Sequence, residues 1–122
     1  MEKRYIRTKD GIYQFKNNEN ICKKDNELFE IQRFFQPVDH INYKLLGKIQ
    51  AEADTIEELC DCFVVVGKKH YIWDKQHCLG LTFEQVKQSY SAYDFEIYGA
   101  VWREWGLKYV AKMNENGDLE LI

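Results

Sequence analysis

A single proline, Pro37, occurs in 122 residues, so little in the chain forbids long hydrogen-bonded segments. No apolar run approaches the roughly 18 residues that cross a bilayer as a helix. Met1-Glu2-Lys3-Arg4 is not followed by the apolar core of a secretion signal, and the expected compartment is the cytoplasm. Basic charge is not in excess: 17 Lys and Arg stand against 20 Asp and Glu, a net charge of -3. That balance argues against wrapping nucleic acid, which requires a concentrated basic face to release counterions.

The motifs of common enzymes are also missing. The chain has no phosphate-cradling Gly-rich loop, no His-Glu-x-x-His pair and no Gly-x-Ser-x-Gly turn. A Cys/His dyad would need the fold to carry His40, His70 or His77 to a thiol. The reading is of a protein without catalytic residues and without a cofactor. Four cysteines, Cys22, Cys60, Cys62 and Cys78, read as thiols in a reducing compartment. Cys60, Cys62, His77 and Cys78, with His70 near them, are soft ligands, yet their spacing lacks the two closely spaced pairs of a zinc site. No metal is expected.

Aromatics, in contrast, are plentiful: 8 Tyr, 7 Phe and 3 Trp, residues that favour strands. Tyr5 to Thr8 and Ile12 to Lys16 form a hairpin around Lys9-Asp10-Gly11. Residues 27–35, rich in aromatics and ending before Pro37, read as a strand, as do residues 41–50. Thr55 with Glu58 three residues on is a capping box, with Asp54 a second possible cap, and Ile56, Leu59, Cys60 and Phe63 recur at helical spacing. Phe63-Val64-Val65-Val66 reads as a strand covered on both faces. Gly67-Lys68 then turns the chain into Tyr71-Ile72-Trp73. A second helix starts at Thr82, capped with Gln85, stapled by Leu81 and Val86, and buries Phe83, Val86, Tyr90 and Tyr93. Breaks at Glu104-Trp105-Gly106 and Glu115-Asn116-Gly117 make residues 97–122 a three-stranded antiparallel meander, with Gly11, Gly106 and Gly117 at positive φ. The fold expected is α+β: one domain over residues 1–122, a twisted antiparallel sheet ending in that meander, with two short helices packed on it.

Two features point to a partner. Between Ala51 and Asp61 lie five acidic residues, Glu52, Asp54, Glu57, Glu58 and Asp61, and no basic one. This is a field that suits a basic protein surface, although acidic residues in a first helical turn also answer the helix dipole. Trp105, in the middle of a tight turn, is a candidate anchor of the kind enriched at protein interfaces. A different reading uses Tyr71, Trp73 and Trp102 as stacking platforms for a nucleotide or single-stranded nucleic acid. That reading requires a basic groove, for which only Lys23-Lys24 and Lys68-Lys69 offer charge.

Three blocks, Arg4 to Tyr13, Ala53 to Val66, and Ile97 to Trp102 with Gly106 to Met113, resemble a family of small uncharacterised accessory proteins encoded by phages and prophages of Gram-positive bacteria. Trp105 departs from the polar turn residue expected there. The resemblance carries no catalytic residue, because its blocks read as turns, a cap and a core strand. It implies a setting inside a bacterial host, where such proteins bind a host protein or a defence complex, anti-CRISPR inhibitors being one such group.

The cysteine spacing makes a direct prediction. Protein purified without added metal should contain no stoichiometric zinc by elemental analysis; one equivalent would make Cys60, Cys62, His77 and Cys78 the ligands to test.

Overall fold

A computed structural model describes residues 2–35, 40–68 and 75–122. The chain divides into two compact units, Met1–Thr55 and Ile56–Ile122. Among the described residues every strand pairing is antiparallel.

The first unit holds two three-stranded sheets. In one, β1 (Tyr5–Thr8) lies between β2 (Gly11–Gln14) and β6 (Ala51–Ala53). The hairpin between β1 and β2 turns at Lys9-Asp10 as expected, with Thr8 opposite Gly11. Gly11 itself has φ +158, close to extended backbone, so its turn does not demand a left-handed residue. In the other sheet β4 (Glu27–Phe34) lies between β3 (Ile21–Lys24) and β5 (His40–Lys48). Residues 27–35 are thus strand up to Phe34. β3 was not foreseen, although Asp25-Asn26 carried its signal: both residues take positive φ, 53° and 66°, the geometry of a type I′ hairpin that Asn and Asp tolerate. Thr8 is completely buried, and Gly47 allows its close approach. A Cβ on Gly47 would lie 3.3 Å from Thr8 Cβ, at a backbone φ of +131.

The second unit is a five-stranded sheet of order β11-β10-β9-β7-β8: β7 (Cys62–Gly67), β8 (Gln76–Cys78), β9 (Phe95–Arg103), β10 (Gly106–Met113) and β11 (Leu119–Leu121). The C-terminal meander is β9-β10-β11, as the turn spacing indicated. β7 is an interior strand, and Phe63, Val64 and Val65 are buried. The helix α1 (Phe83–Ser89) starts at a complete capping box between Thr82 and Gln85. It buries Phe83 and Val86, with the Phe83 ring 5.5 Å from that of Phe63. Tyr93, expected on the buried face, lies beyond the helix and is 87% exposed.

The fold is therefore mostly β, 55% strand and 9% helical, and not the α+β arrangement with two helices. The helix expected from Thr55 is a single 3-10 turn, Glu57–Leu59, whose N-cap residue, Ile56, makes no side-chain cap bond. Its spacing signal was real but one turn long: Ile56 and Leu59 eclipse at i, i+3 and both are buried. Sheet pairing ends it. Cys60 is already extended, and the Asp61 N–H donates to the Ala100 carbonyl at 2.9 Å, which commits the chain to β7 before a second turn can form. The turn into Tyr71-Ile72-Trp73, and His70, fall outside the described residues. Among the described residues no helix is long and apolar enough to cross a membrane.

Gly99 in β9 is tightly enclosed. A Cβ there would sit 2.6 Å from Cys60 Sγ, too close for either atom to remain in place. Gly99→Ala should cost about 2 kcal/mol, as overpacking does, whereas Gly117→Ala, with φ +84 and open space around its Cβ position, should cost about 1 kcal/mol through backbone strain. Denaturant melts of Gly99→Ala, Cys60→Ala and the double variant check the cause. The double variant should recover most of the Gly99→Ala loss, and a strictly additive cycle would sink the account.

Candidate partner-binding site

The five carboxylates of the acidic stretch occupy different local settings. The boundary between units falls at Thr55 and Ile56, which leaves Glu52 and Asp54 in the first unit and Glu57, Glu58 and Asp61 in the second. Glu52 accepts from Lys23 Nζ at 2.7 Å, and Asp54 lies 3.5 Å from Lys3 Nζ. Pairing offsets the net field of these two. Glu57 and Glu58 occupy the 3-10 turn, not the first turn of an α-helix. Asp61 has a structural duty instead: its Oδ2 accepts the Trp102 backbone N–H at 2.6 Å, a charge-assisted bond that continues the β7–β9 pairing one step past the ladder.

That bond braces one end of the β9–β10 hairpin. Arg103 pairs with Gly106 across the two-residue turn Glu104-Trp105, and Gly106 has φ +117, a conformation glycine adopts at little cost. The turn carries the Trp105 side chain 91% exposed. Two residues back from the turn, Trp102 is 50% exposed and stands directly opposite Leu107. Side chains opposite one another in an antiparallel pair share a face. On this face Leu107, Tyr109, Tyr98 and Val66 pack, half-buried, around Cys62, Val64 and Ala100. A strip of apolar and aromatic surface therefore runs from the sheet's interior to the exposed hairpin end. The paired apolar positions Trp102 and Leu107 were not picked out as a unit from sequence; the turn at Gly106 fixes their register and was the signal available.

Farther along the strip the chemistry becomes polar. The Tyr98 ring lies 5.1 Å from that of Tyr109, with Lys112 Nζ 5.7 Å from the first ring and Lys75 Nζ 5.1 Å from the second. The Tyr98 hydroxyl donates to Glu96 Oε2 at 2.6 Å. That bond, then burial and the carboxylate's charge, push the phenol up to about 12. The same bond lowers the Glu96 carboxyl, with the Lys112 charge acting in the same direction against partial burial. Glu96 and Lys112 also line a cleft of about 930 Å³ with Lys68, Tyr93, Phe95 and Ile122. Burial raises the thiols of Cys62 and Cys78 above the ordinary value, which keeps them from acting as ready thiolates. None of the four cysteines is in a disulfide, and among the described residues no group of metal-ligating side chains converges.

No protein-family model, no curated protein and no solved structure matches the chain.

The Tyr98–Glu96 bond predicts a pH signature. The phenol's folded pKa is raised, so its contribution to stability is complete below pH 10 and is lost as pH rises through about 12. The carboxyl's folded pKa is lowered, so its contribution is present above the ordinary 4.5 and is lost as pH falls through the folded value. The melting-temperature gap between the parent and Tyr98→Phe should therefore be constant from about pH 5 to about pH 9 and narrow at both extremes. A gap independent of pH would show that the bond does not contribute.

Proposed function

We propose that this chain is a non-enzymatic protein-binding factor that docks on a partner protein through the end of the β9–β10 hairpin. The observation that carries the reading is Trp105, 91% exposed on a turn fixed by paired strands. A large aromatic held out by a rigid element loses little conformational freedom on binding, and tryptophan is enriched among residues that dominate interface energies. Trp102 and Leu107 extend the apolar contact around it. The resemblance to phage accessory proteins supplies the setting: the partner is a host protein in the bacterial cytoplasm, and inhibition of a host defence system is the specific form of the proposal.

The alternative is a nucleotide or single-stranded nucleic-acid binder that stacks bases at Trp102, on the face where Lys112 and Lys75 lie over Tyr98 and Tyr109; the acidic balance of the chain, 20 Asp and Glu against 17 Lys and Arg, disfavours it. Tyr71 and Trp73 lie outside the described residues.

Tagged protein recovered from host cells, with identification of what accompanies it, provides the partner for the test. Trp105→Ala should then weaken binding by about 2 kcal/mol or more, roughly 30-fold, as expected of a central anchor, with the melting temperature unchanged. Glu57→Lys tests the acidic contribution better than reversal of Asp61, which would also break the bond to Trp102. Parent-like affinity of folded Trp105→Ala for that partner would remove the hairpin as the docking site.

A further inference from the structure

The first unit carries a second exposed surface that the hairpin reading does not use. In β5, Ile41, Tyr43 and Leu45 are 53%, 57% and 53% exposed. They stand opposite Arg33, Ile31 and Phe29 of β4, with Cys22 of β3 opposite Phe29. These residues alternate along their strands and share one sheet face, whereas Asn42 and Lys44, opposite Gln32 and Glu30, belong to the other. Exposure rises toward the outside: Phe29 and Ile31, one strand in, are half-buried, while the apolar residues of β5 have a neighbour on one side only among the described strands. A nine-residue edge strand with this alternation is a template for a further strand.

We infer that β5 is a homodimer interface, pairing antiparallel with β5 of a second copy about a two-fold axis at Tyr43. The register follows from charge and pattern. To merge the apolar faces, apolar residues must stand opposite apolar residues, because a one-residue slip would set Tyr43 against Asn42. Centring on Lys44 would place two lysines directly opposite, which is unfavourable. Centring on Asn42 would pair only residues 40–44 and leave Leu45 outside. Centring on Tyr43 pairs residues 40–46, sets Ile41 against the second copy's Leu45 and Tyr43 against itself, and puts each Lys44 opposite an Asn42. No like charges face each other in that register, and Glu30 stands opposite Lys44 within each copy. The interface is isologous, as a two-fold dimer requires, and it adds to β5 the neighbour that β4 already has on both sides.

Sedimentation equilibrium of the full chain across micromolar to millimolar concentrations should show a monomer–dimer equilibrium. Position 42 then reads the register. Asn42→Lys places lysine opposite Lys44 twice and should weaken the dimer about tenfold, whereas Asn42→Glu places a carboxylate there and should tighten it several-fold, both effects shrinking with added salt. Asn42 is exposed and on the polar face, so both variants should melt like the parent. Tyr43→Lys, at the axis, should leave only monomer. A chain that stays monomeric throughout, or a dimer whose strength is unchanged by either charge at position 42, overturns the proposal. Neither result bears on the hairpin, which lies in the other unit and is tested through a different residue.

Discussion

Everything in the second unit depends on the need to cover Phe63-Val64-Val65 on both faces. Three consecutive large apolar residues cannot alternate between core and water, so the strand that holds them must be interior and its sheet covered on two sides. β9 and β8 flank it, α1 contributes Phe83 and Val86 to one face, and Tyr98, Leu107 and Tyr109 pack around Val64 and Ala100 on the other. The same demand limits what precedes the strand. Ladder bonds beginning at Asp61 compete with helix for the backbone of residues 56–61. A short helix gains few internal hydrogen bonds for the residues it fixes, so the sheet prevails and only one 3-10 turn survives.

Close approach is handled in both units by omitting a side chain. In the second, Cys60 lies over Gly99, a small polarisable thiol filling space where an added methyl would collide. In the first, the fully buried Thr8 lies against Gly47 at the irregular step of the β4–β5 ladder. A bulge bends its strand and leaves one residue without a direct partner, and glycine admits both the positive φ and the neighbour's approach. These sites are sensitive in a way that the turn glycines are not. Gly106 and Gly117 have open space at the Cβ position, so their requirement is conformational alone.

The elements legible in sequence were those specified locally. The meander was visible because each turn ends in glycine, α1 because Thr82 and Gln85 satisfy each other's backbone groups, and β7 because nothing else suits its apolar run. The errors arose where long-range pairing outweighed a local signal. Thr55 and Glu58 have capping-box spacing, but the pairing of Asp61 with β9 could not be read from that window. β3, β6 and β8 are three or four residues long, too short for periodicity to distinguish. The acidic stretch read as a run of like charge, and the partners of Glu52, Asp54 and Asp61 at Lys23, Lys3 and the Trp102 amide were invisible in it. Trp105 was legible because the exposure of a two-residue turn follows from geometry alone.

The two proposed surfaces use different physics, and that difference bears on how the protein would act. The hairpin offers a tryptophan anchor, whose energy comes from desolvating one large ring in a partner's pocket. The β5 edge offers a row of backbone donors and acceptors with an alternating apolar face, whose energy is spread over many small terms and whose specificity lies in register. An interface of the second kind suits an identical partner, because a two-fold axis doubles each favourable pair. Pairing through β5 would place two hairpins in one assembly. If a target also presents two copies of its pocket, the second docking event becomes intramolecular, and a modest single contact gains strength through effective concentration without any new residue. For a small protein with an exposed anchor, self-association is thus a route to tight binding that leaves the anchor and its turn unchanged.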